Sequence, residues 1–134
     1  MRRSTAIALL LAGLLGPGAA TAQIMTAAPT YSEAGGKLSE TEMQATFSGK
    51  YHEEGTDTAG HDWTVDASSD GTLHVNAGAY SDTGHARLDG TRLCVTYNKT
   101  WKGAERCYTY AHHGRQLAGY GPDGKLESVV TVAR

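Results

Sequence analysis

The stretch that decides the fold is residues 92–110, RLCVTYNKTWKGAERCYTY. Apolar and polar side chains alternate in residues 92–97 and again in residues 105–110, on either side of a polar loop. Alternation with a period of two is the pattern of a β-strand with one buried face. It places Cys94 and Cys107 on the opposite face from a second set of side chains. That set is Leu93, Val95, Tyr97, Tyr108 and Tyr110.

Similar segments recur along the chain after residue 50, and turn signals separate them. Asp-Gly occurs at residues 70–71, 89–90 and 123–124, and it tolerates the positive φ angles that a type I′ hairpin turn requires at both central residues. Together, about eight short strands with turn signals predict an all-β fold, a small antiparallel barrel or sandwich. The predicted strands are 50–54, 63–67, 72–76, 85–88, 92–97, 105–110, 116–120 and 126–132.

One short helix is predicted before the first strand. Ser39, followed three residues later by Glu42, forms a capping box. Met43 and Phe47 are four residues apart and therefore share one helical face. We expect a helix over residues 40–47 whose apolar edge leans on the sheet.

The N-terminus has the three parts of a bacterial secretory signal. Two arginines near the start precede an apolar run at residues 7–15, and residues 20–22 supply small side chains before Gln23. The apolar run is shorter than the roughly 20 residues that a membrane-spanning helix needs. We therefore expect a signal peptide over residues 1–22, cleaved before Gln23, and a periplasmic or secreted protein.

The predicted organisation has three parts: the signal peptide, a flexible leader at residues 23–38 without periodicity, and a single β-domain at residues 39–134. Removing the signal peptide leaves ten basic and fourteen acidic residues, a net charge of −4 with neutral histidines. A mildly acidic domain does not attract nucleic acid. We expect a monomer with no membrane span after cleavage.

Cys94 and Cys107 are the two cysteines of the chain. Export would place them in an oxidising compartment, where a disulfide persists. Their spacing fits neither a C-x-x-C redox motif nor a zinc cluster, although a reactive or metal-bound pair is the alternative. We predict a structural disulfide, whose loop closure would contribute about 3 kcal/mol.

Short motifs mark the predicted helix, turns and strands. They are FSGK at residues 47–50, DGT at 70–72, GHA at 84–86, LCV at 93–95 and CY at 107–108. Their layout over residues 39–132 resembles a loose group of small exported bacterial β-proteins of uncharacterised function. The GHA segment departs from that group, which often has a tryptophan there. The resemblance implies a small barrel or lipocalin-like fold, and it implies no activity and no catalytic residue.

Histidines are the most notable residues for chemistry, with six in the chain. His52 and His61 lie with four carboxylates inside residues 52–62. Imidazole and carboxylate groups bind divalent ions, so one hypothesis is a metal site made by His52, His61 and Asp62. The other is a solvated acidic loop, because H-x-x-x-H, H-E-x-x-H and EF-hand spacings are absent from the sequence.

Aromatic residues indicate a binding surface instead. The chain has seven Tyr and two Trp but one Phe, and amphipathic aromatics suit a sheet with one wet face. Trp101 lies between Lys99 and Lys102 in the polar loop, where it would suit a partner or glycan contact or would fold back over the sheet edge as a lid. The candidate ligand or partner contacts are Trp63, Tyr97, Trp101, Tyr108 and Tyr110.

Catalytic and cofactor motifs are missing from the sequence, including the G-x-S-x-G elbow and the phosphate-binding glycine loop. We therefore assign no catalytic residue and expect no cofactor. The favoured function is a non-enzymatic binding or accessory protein, with a small hydrophobic ligand or an envelope protein as its partner. The alternatives are a divalent-metal-binding protein using His52, His61 and nearby acids, and a small envelope hydrolase.

Overall fold

The computed structural model describes residues 29–134, so the predicted signal peptide lies outside the described residues. Within that range, eight strands form a closed antiparallel β-barrel in which each strand pairs with its neighbours in sequence and the last pairs with the first. The predicted all-β fold is confirmed, and of the two predicted architectures it is the barrel. The elements are α1 Glu40–Phe47, β1 Tyr51–Asp57, β2 Asp62–Ala67, β3 Thr72–Ala77, β4 Tyr80–Asp89, β5 Arg92–Tyr97, β6 Arg106–His113, β7 Gln116–Tyr120 and β8 Leu126–Ala133, with a short 3₁₀ turn at Thr100–Gly103. None of the helices in residues 29–134 is long and apolar enough to cross a membrane.

The three Asp-Gly pairs lie at hairpin turns as predicted, but the turns are not type I′. In the β2–β3 turn, Gly71 has a φ of 90°, whereas Asp70 does not have a positive φ. The Asp70 carboxylate instead accepts a hydrogen bond from the Thr72 amide at 3.0 Å. Such an Asx turn satisfies the backbone without a strained aspartate. At all three pairs, only the glycine has a positive φ.

Strand β4 is longer than the sequence predicted. The alternation predicted a strand at residues 85–88, whereas β4 begins at Tyr80 directly after a two-residue turn at residues 78–79. The polar start of β4 hides its strand character because an inward position is occupied by Asp82, which is buried. An inward carboxylate breaks the apolar–polar alternation on which the prediction depended.

Helix α1 closes one end of the barrel. Its capping box is present, with Ser39 and Glu42 each bonding the other's backbone amide. Met43 and Phe47 are buried, and the Phe47 ring lies 4.8 Å from the Tyr110 ring between centroids. We call this end the closed end. The opposite end carries the β1–β2, β3–β4, β5–β6 and β7–β8 connections, and we call it the open end.

Residues 29–38 pack against the outside of β6 and β7, although the sequence indicated a flexible leader there. Ala34 is buried in a cluster on this outer face, and the Tyr31 ring lies 4.2 Å from the Tyr120 ring between centroids. Leu38, at the end of the segment, is buried in the main core with Met43 and Phe47. A turn that docks through separate side chains has no hydrophobic period, so periodicity does not reveal it. The packed structure therefore begins before residue 39, the boundary expected from the sequence.

The predicted disulfide joins Cys94 and Cys107, which are directly opposite each other in the β5–β6 pair. This pair has three residue partners on each strand, fewer than any other strand pair of the barrel in residues 29–134. The long connection at the open end interrupts the ladder there. The covalent bond therefore reinforces the shortest strand pairing of the barrel.

Candidate binding cavity

The inside of the barrel holds a cavity of about 390 Å³ that opens at the open end. Alternation along the strands directs every second side chain inward, and many of these side chains are aliphatic. A volume of this order is at the lower end of the range for small-molecule sites. The aliphatic lining is Val65, Leu73, Val75, Ala77, Leu93 and Val95.

All five aromatic residues predicted as contacts line this one cavity. They come from β2, β5, the 3₁₀ turn and β6, and closure of the barrel brings them together. The alternation in residues 92–97 and 105–110 was sufficient to find three of them. Sequence reasoning missed Tyr51, Glu53, Arg106 and Glu127, which also line the cavity. The sequence could have indicated Glu53, because it lies two residues after Tyr51 and residues two apart in a strand share one face.

The Trp63 indole lies against the wall formed by β1. Trp63 is directly opposite Gly55 in the β1–β2 pair, and a Cβ atom placed on Gly55 would be 2.5 Å from Trp63 Cζ2. Since only glycine leaves that space free, the ring can cover the strand. From there, Trp63 Nε1 donates a hydrogen bond to Glu53 Oε2 at 3.1 Å.

Glu53 is a buried carboxyl group on the cavity wall, with 6% of the residue exposed. Burial raises its pKa, and the Trp63 hydrogen bond and nearby His52 oppose this shift only in part. Among residues 29–134, the bond from Trp63 is the one hydrogen bond that the Glu53 side chain makes. Glu54, the next residue, is exposed on the outside of the barrel, so the two carboxylates point to opposite faces.

Three tyrosines extend the polar part of the cavity around Glu53. Burial, followed by the charge of Glu53, raises the pKa values of Tyr51, Tyr97 and Tyr110. In the part of the chain that the structure describes, the hydroxyl groups of these three residues make no hydrogen bond. A buried hydroxyl group without a partner is costly, so these groups are available to a ligand.

Trp101 covers part of the open end. Its ring centroid lies 5.9 Å from that of Tyr97 and 6.1 Å from that of Tyr108, and 39% of the residue remains exposed. The Arg106 guanidinium lies 4.7 Å from the Trp101 ring and forms an ion pair with Glu127 at 2.7 Å. The sequence suggested either that Trp101 contacts a partner or that it folds back as a lid, and this packing corresponds to the lid.

Asp82 holds the loop that carries Trp101. Its Oδ2 atom accepts hydrogen bonds from the Lys99 amide at 2.9 Å, the Thr100 amide at 2.8 Å and the Thr100 hydroxyl at 2.7 Å. Burial alone would raise the pKa of Asp82, but the hydrogen bonds outweigh it and hold that pKa well below its usual value. Trp101 and Lys102 have φ angles of 54° and 56°, which cost about 1–2 kcal/mol per residue. The bonds to Asp82 offset this strain.

The three residues predicted to bind a metal do not converge on one point. His52 lies toward the closed end on the outer face of β1, and its Nδ1 atom is 2.7 Å from Asp66. His61 lies in the β1–β2 turn at the open end, where its Nδ1 atom is 3.1 Å from Asp57. Asp62 accepts a hydrogen bond from the Thr56 hydroxyl at 2.7 Å. Each residue has its own partners.

Within residues 29–134, one group of three potential ligand residues is close enough to hold an ion: Cys94, Glu105 and Cys107. Both sulfur atoms of this group are bonded to each other in the disulfide, and thiolate sulfur is the form that binds metals. The geometry therefore gives the metal hypothesis no support in the described residues.

No protein-family model, no curated protein and no solved structure matches the chain. The resemblance to small exported β-proteins stays a prediction. The cavity is an arrangement that can bind a small molecule: it has aliphatic and aromatic walls, one buried carboxyl group and three hydroxyl groups without a hydrogen-bond partner in residues 29–134.

Proposed function

We propose that this protein binds a small hydrophobic molecule inside its barrel and does so without catalysing a reaction. The observation that carries the proposal is the cavity, which α1 closes at one end and Trp101 partly covers at the other. An apolar cavity with a few convergent polar groups is the usual form of a small-molecule site. The five predicted aromatic contacts are all in its wall.

Binding is favoured over catalysis because of the surroundings of Glu53. General acid–base catalysis by a carboxyl group uses a second polar group that positions or activates the reacting atom. Among the described residues, the one group that bonds Glu53 is the Trp63 indole, which only donates, and the tyrosine hydroxyl groups nearby make no hydrogen bond to Glu53. Apart from these ionisable and hydroxyl groups, the inner wall is aliphatic and aromatic, and its burial contributes to affinity.

The proposed place of action is the bacterial periplasm or cell surface. The predicted signal peptide supports export, and a disulfide at Cys94–Cys107 is compatible with an oxidising compartment. An envelope protein is the second candidate partner, because Trp101 remains partly exposed between Lys99 and Lys102 at the open end. A ligand carried in the cavity and a partner at the open end are compatible with each other.

The test uses the purified protein and N-phenyl-1-naphthylamine, a neutral hydrophobic fluorophore. We expect saturable binding with fluorescence enhancement at one site. Val75→Phe adds a ring to a side chain that lines the cavity, and it should abolish this binding. His74→Phe is the matched control, because His74 is the adjacent residue on the same strand and is exposed outside the barrel. Equal binding by both variants would place the probe outside the cavity and contradict the proposal.

A further inference from the structure

We infer that the ligand is a small organic cation, whose ammonium group lies against the Glu53 carboxylate and whose apolar body fills the cavity. This inference rests on the proposed binding function and names the chemical class of its ligand. It depends on three independent features: the charge of the lining, the unmet hydrogen-bonding capacity of Glu53, and the aromatic rings around it.

The lining of the cavity is acidic. Its ionisable groups, apart from the tyrosines, are one histidine, one arginine and four carboxyl groups, from Glu53, Asp57, Asp62 and Glu127. With His61 neutral and the carboxyl groups ionised, the formal charge of the lining is −3. The single guanidinium, that of Arg106, is already paired with Glu127 at 2.7 Å. A concave site lined by one sign of charge concentrates ligands of the opposite sign, so the cavity favours a cation over an anion.

Glu53 has bonding capacity that the described protein does not use. Its Oε2 atom accepts the Trp63 bond at 3.1 Å, and Oε1 has no hydrogen-bond partner among residues 29–134. An ionised carboxylate accepts up to about four hydrogen bonds, and an ammonium group donates up to three. Because a buried charge is unfavourable unless it is paired, an ammonium group would supply what Glu53 lacks.

The rings around Glu53 are also suited to a cation. Trp63 bonds Glu53 directly, and Tyr51, Tyr97 and Tyr110 are near enough for its charge to act on them. The faces of tryptophan and tyrosine rings attract ammonium groups through the ring quadrupole, and more strongly when water is excluded. The free tyrosine hydroxyl groups can also accept hydrogen bonds from the ammonium group. An anionic ligand could accept hydrogen bonds from the same hydroxyl groups, but the ring faces and the Glu53 carboxylate would repel it.

A neutral ligand with a hydroxyl group is the closest competitor, since it too could donate a hydrogen bond to Glu53. The two are distinguished by a series of probes with the same phenyl body. They are 2-phenylethylamine, which is cationic at neutral pH, 2-phenylethanol, which is neutral, and phenylacetate, which is anionic. Isothermal titration calorimetry at pH 7.5 measures their affinities for the purified protein.

We expect the amine to bind roughly tenfold or more tightly than the alcohol, because charge-assisted hydrogen bonds are about twice as strong as neutral ones. Phenylacetate should bind most weakly. Glu53→Gln keeps the size of the side chain and an acceptor for Trp63 but removes the charge. It should abolish the preference for the amine and leave the affinity for the alcohol within about twofold of its original value. Glu54→Gln, on the outer face of the same strand, should preserve the preference.

The outcomes separate the two proposals. Equal affinities for the amine and the alcohol in the unmodified protein would overturn the inference, and this comparison needs no variant to fold. The inference is also overturned if Glu53→Gln retains the preference for the amine, or if the amine does not bind while N-phenyl-1-naphthylamine does. In all of these cases the proposed binding function stands. If neither the amine nor N-phenyl-1-naphthylamine binds, both proposals are overturned.

Discussion

Gly55 and Trp63 face each other across the β1–β2 pair, and the indole occupies the space into which a Gly55 side chain would project. The same relationship recurs twice inside the barrel, between Gly84 and Tyr97 and between Gly119 and Tyr110. In each pair, an inward aromatic ring is directly opposite a glycine on the neighbouring strand. The rings can therefore lie along the wall, which leaves the centre of the barrel open for a ligand.

Replacement of Gly55 by alanine should displace the Trp63 ring and break its hydrogen bond to Glu53. Overpacking of this kind typically costs about 1–3 kcal/mol, so we expect Gly55→Ala to lower the free energy of unfolding by that amount. Urea unfolding followed by circular dichroism measures the change.

A double-mutant cycle identifies the cause of that loss. In a Trp63→Leu background the ring is absent, so Gly55→Ala should cost at least about 1 kcal/mol less than in the unmodified protein. Strictly additive free energies would show that Gly55 is required for a reason other than the Trp63 ring.

Glu53 should make the unliganded protein less stable at neutral pH. Burial raises its pKa above the ordinary value of 4.5, which applies to the unfolded chain. Below pH 4.5, the group is protonated in both states and has no such effect. As the pH rises from 4.5 to the folded-state pKa, the unfolded chain releases its proton first, so stability decreases, and above the folded-state pKa the loss is constant.

Glu53→Gln should therefore be more stable than the unmodified protein at pH 7.5, by about 1–3 kcal/mol, and the two should converge at pH 4. Unfolding in urea at pH 4, 5.5 and 7.5 checks this, with Glu54→Gln as the exposed control. A gain in stability that is independent of pH would show that ionisation of Glu53 is not its origin. If Glu53→Gln gains stability only at higher pH and also loses affinity for an amine, Glu53 contributes to ligand binding at the expense of the stability of the unliganded protein.

The disulfide should stabilise the shortest strand pairing of the barrel. We expect replacement of both Cys94 and Cys107 by serine to cost about 2–5 kcal/mol, because the β5–β6 pair has the fewest residue partners. Thermal unfolding with and without dithiothreitol measures the effect. Reductant should destabilise the unmodified protein and leave the double serine variant unchanged, and a double variant as stable as the oxidised protein would contradict the expectation.

The sequence predicted the strands whose inward side is apolar, and it predicted less well where a functional group faces inward. Leu93, Val95 and Tyr97 alternate with outward residues, and β5 was predicted with its observed bounds. In β4, Asp82 faces inward, and the predicted strand began five residues late. The capping box of α1 was recognisable because it is local.

The candidate site could be predicted only in part, because barrel closure brings together residues that are far apart in sequence. Alternation identified Tyr108 and Tyr110 as members of one face, but the pairing that places Trp63 over Gly55 depends on strand register. Glu53 was counted among the four carboxylates near the potential metal ligands His52 and His61, since all lie within residues 52–62. In a strand, adjacent residues point to opposite faces, so Glu53 lines the cavity and His52 lies outside.

Asp82 should control the lid through its charge. The carboxylate accepts hydrogen bonds from the Lys99 and Thr100 amides, and its pKa lies well below the ordinary value of 3.8 because the hydrogen bonds outweigh burial. Its contribution to stability is therefore complete above pH 3.8 and decreases as the pH falls from 3.8 through the folded-state pKa. Asp82→Asn should unfold at a lower urea concentration than the unmodified protein at pH 7, and this difference should narrow at pH 2.5.

The Asp82→Asn variant should also release Trp101, since an asparagine oxygen is a weaker acceptor than a carboxylate. In a Trp63→Phe background, where Trp101 is the remaining tryptophan, acrylamide should quench its fluorescence more strongly after Asp82→Asn, whereas Asp62→Asn at the same end of the barrel should leave quenching unchanged. Equal quenching in the two variants would mean that the stacking of Trp101 on Tyr97 and Tyr108 holds the lid without help from Asp82.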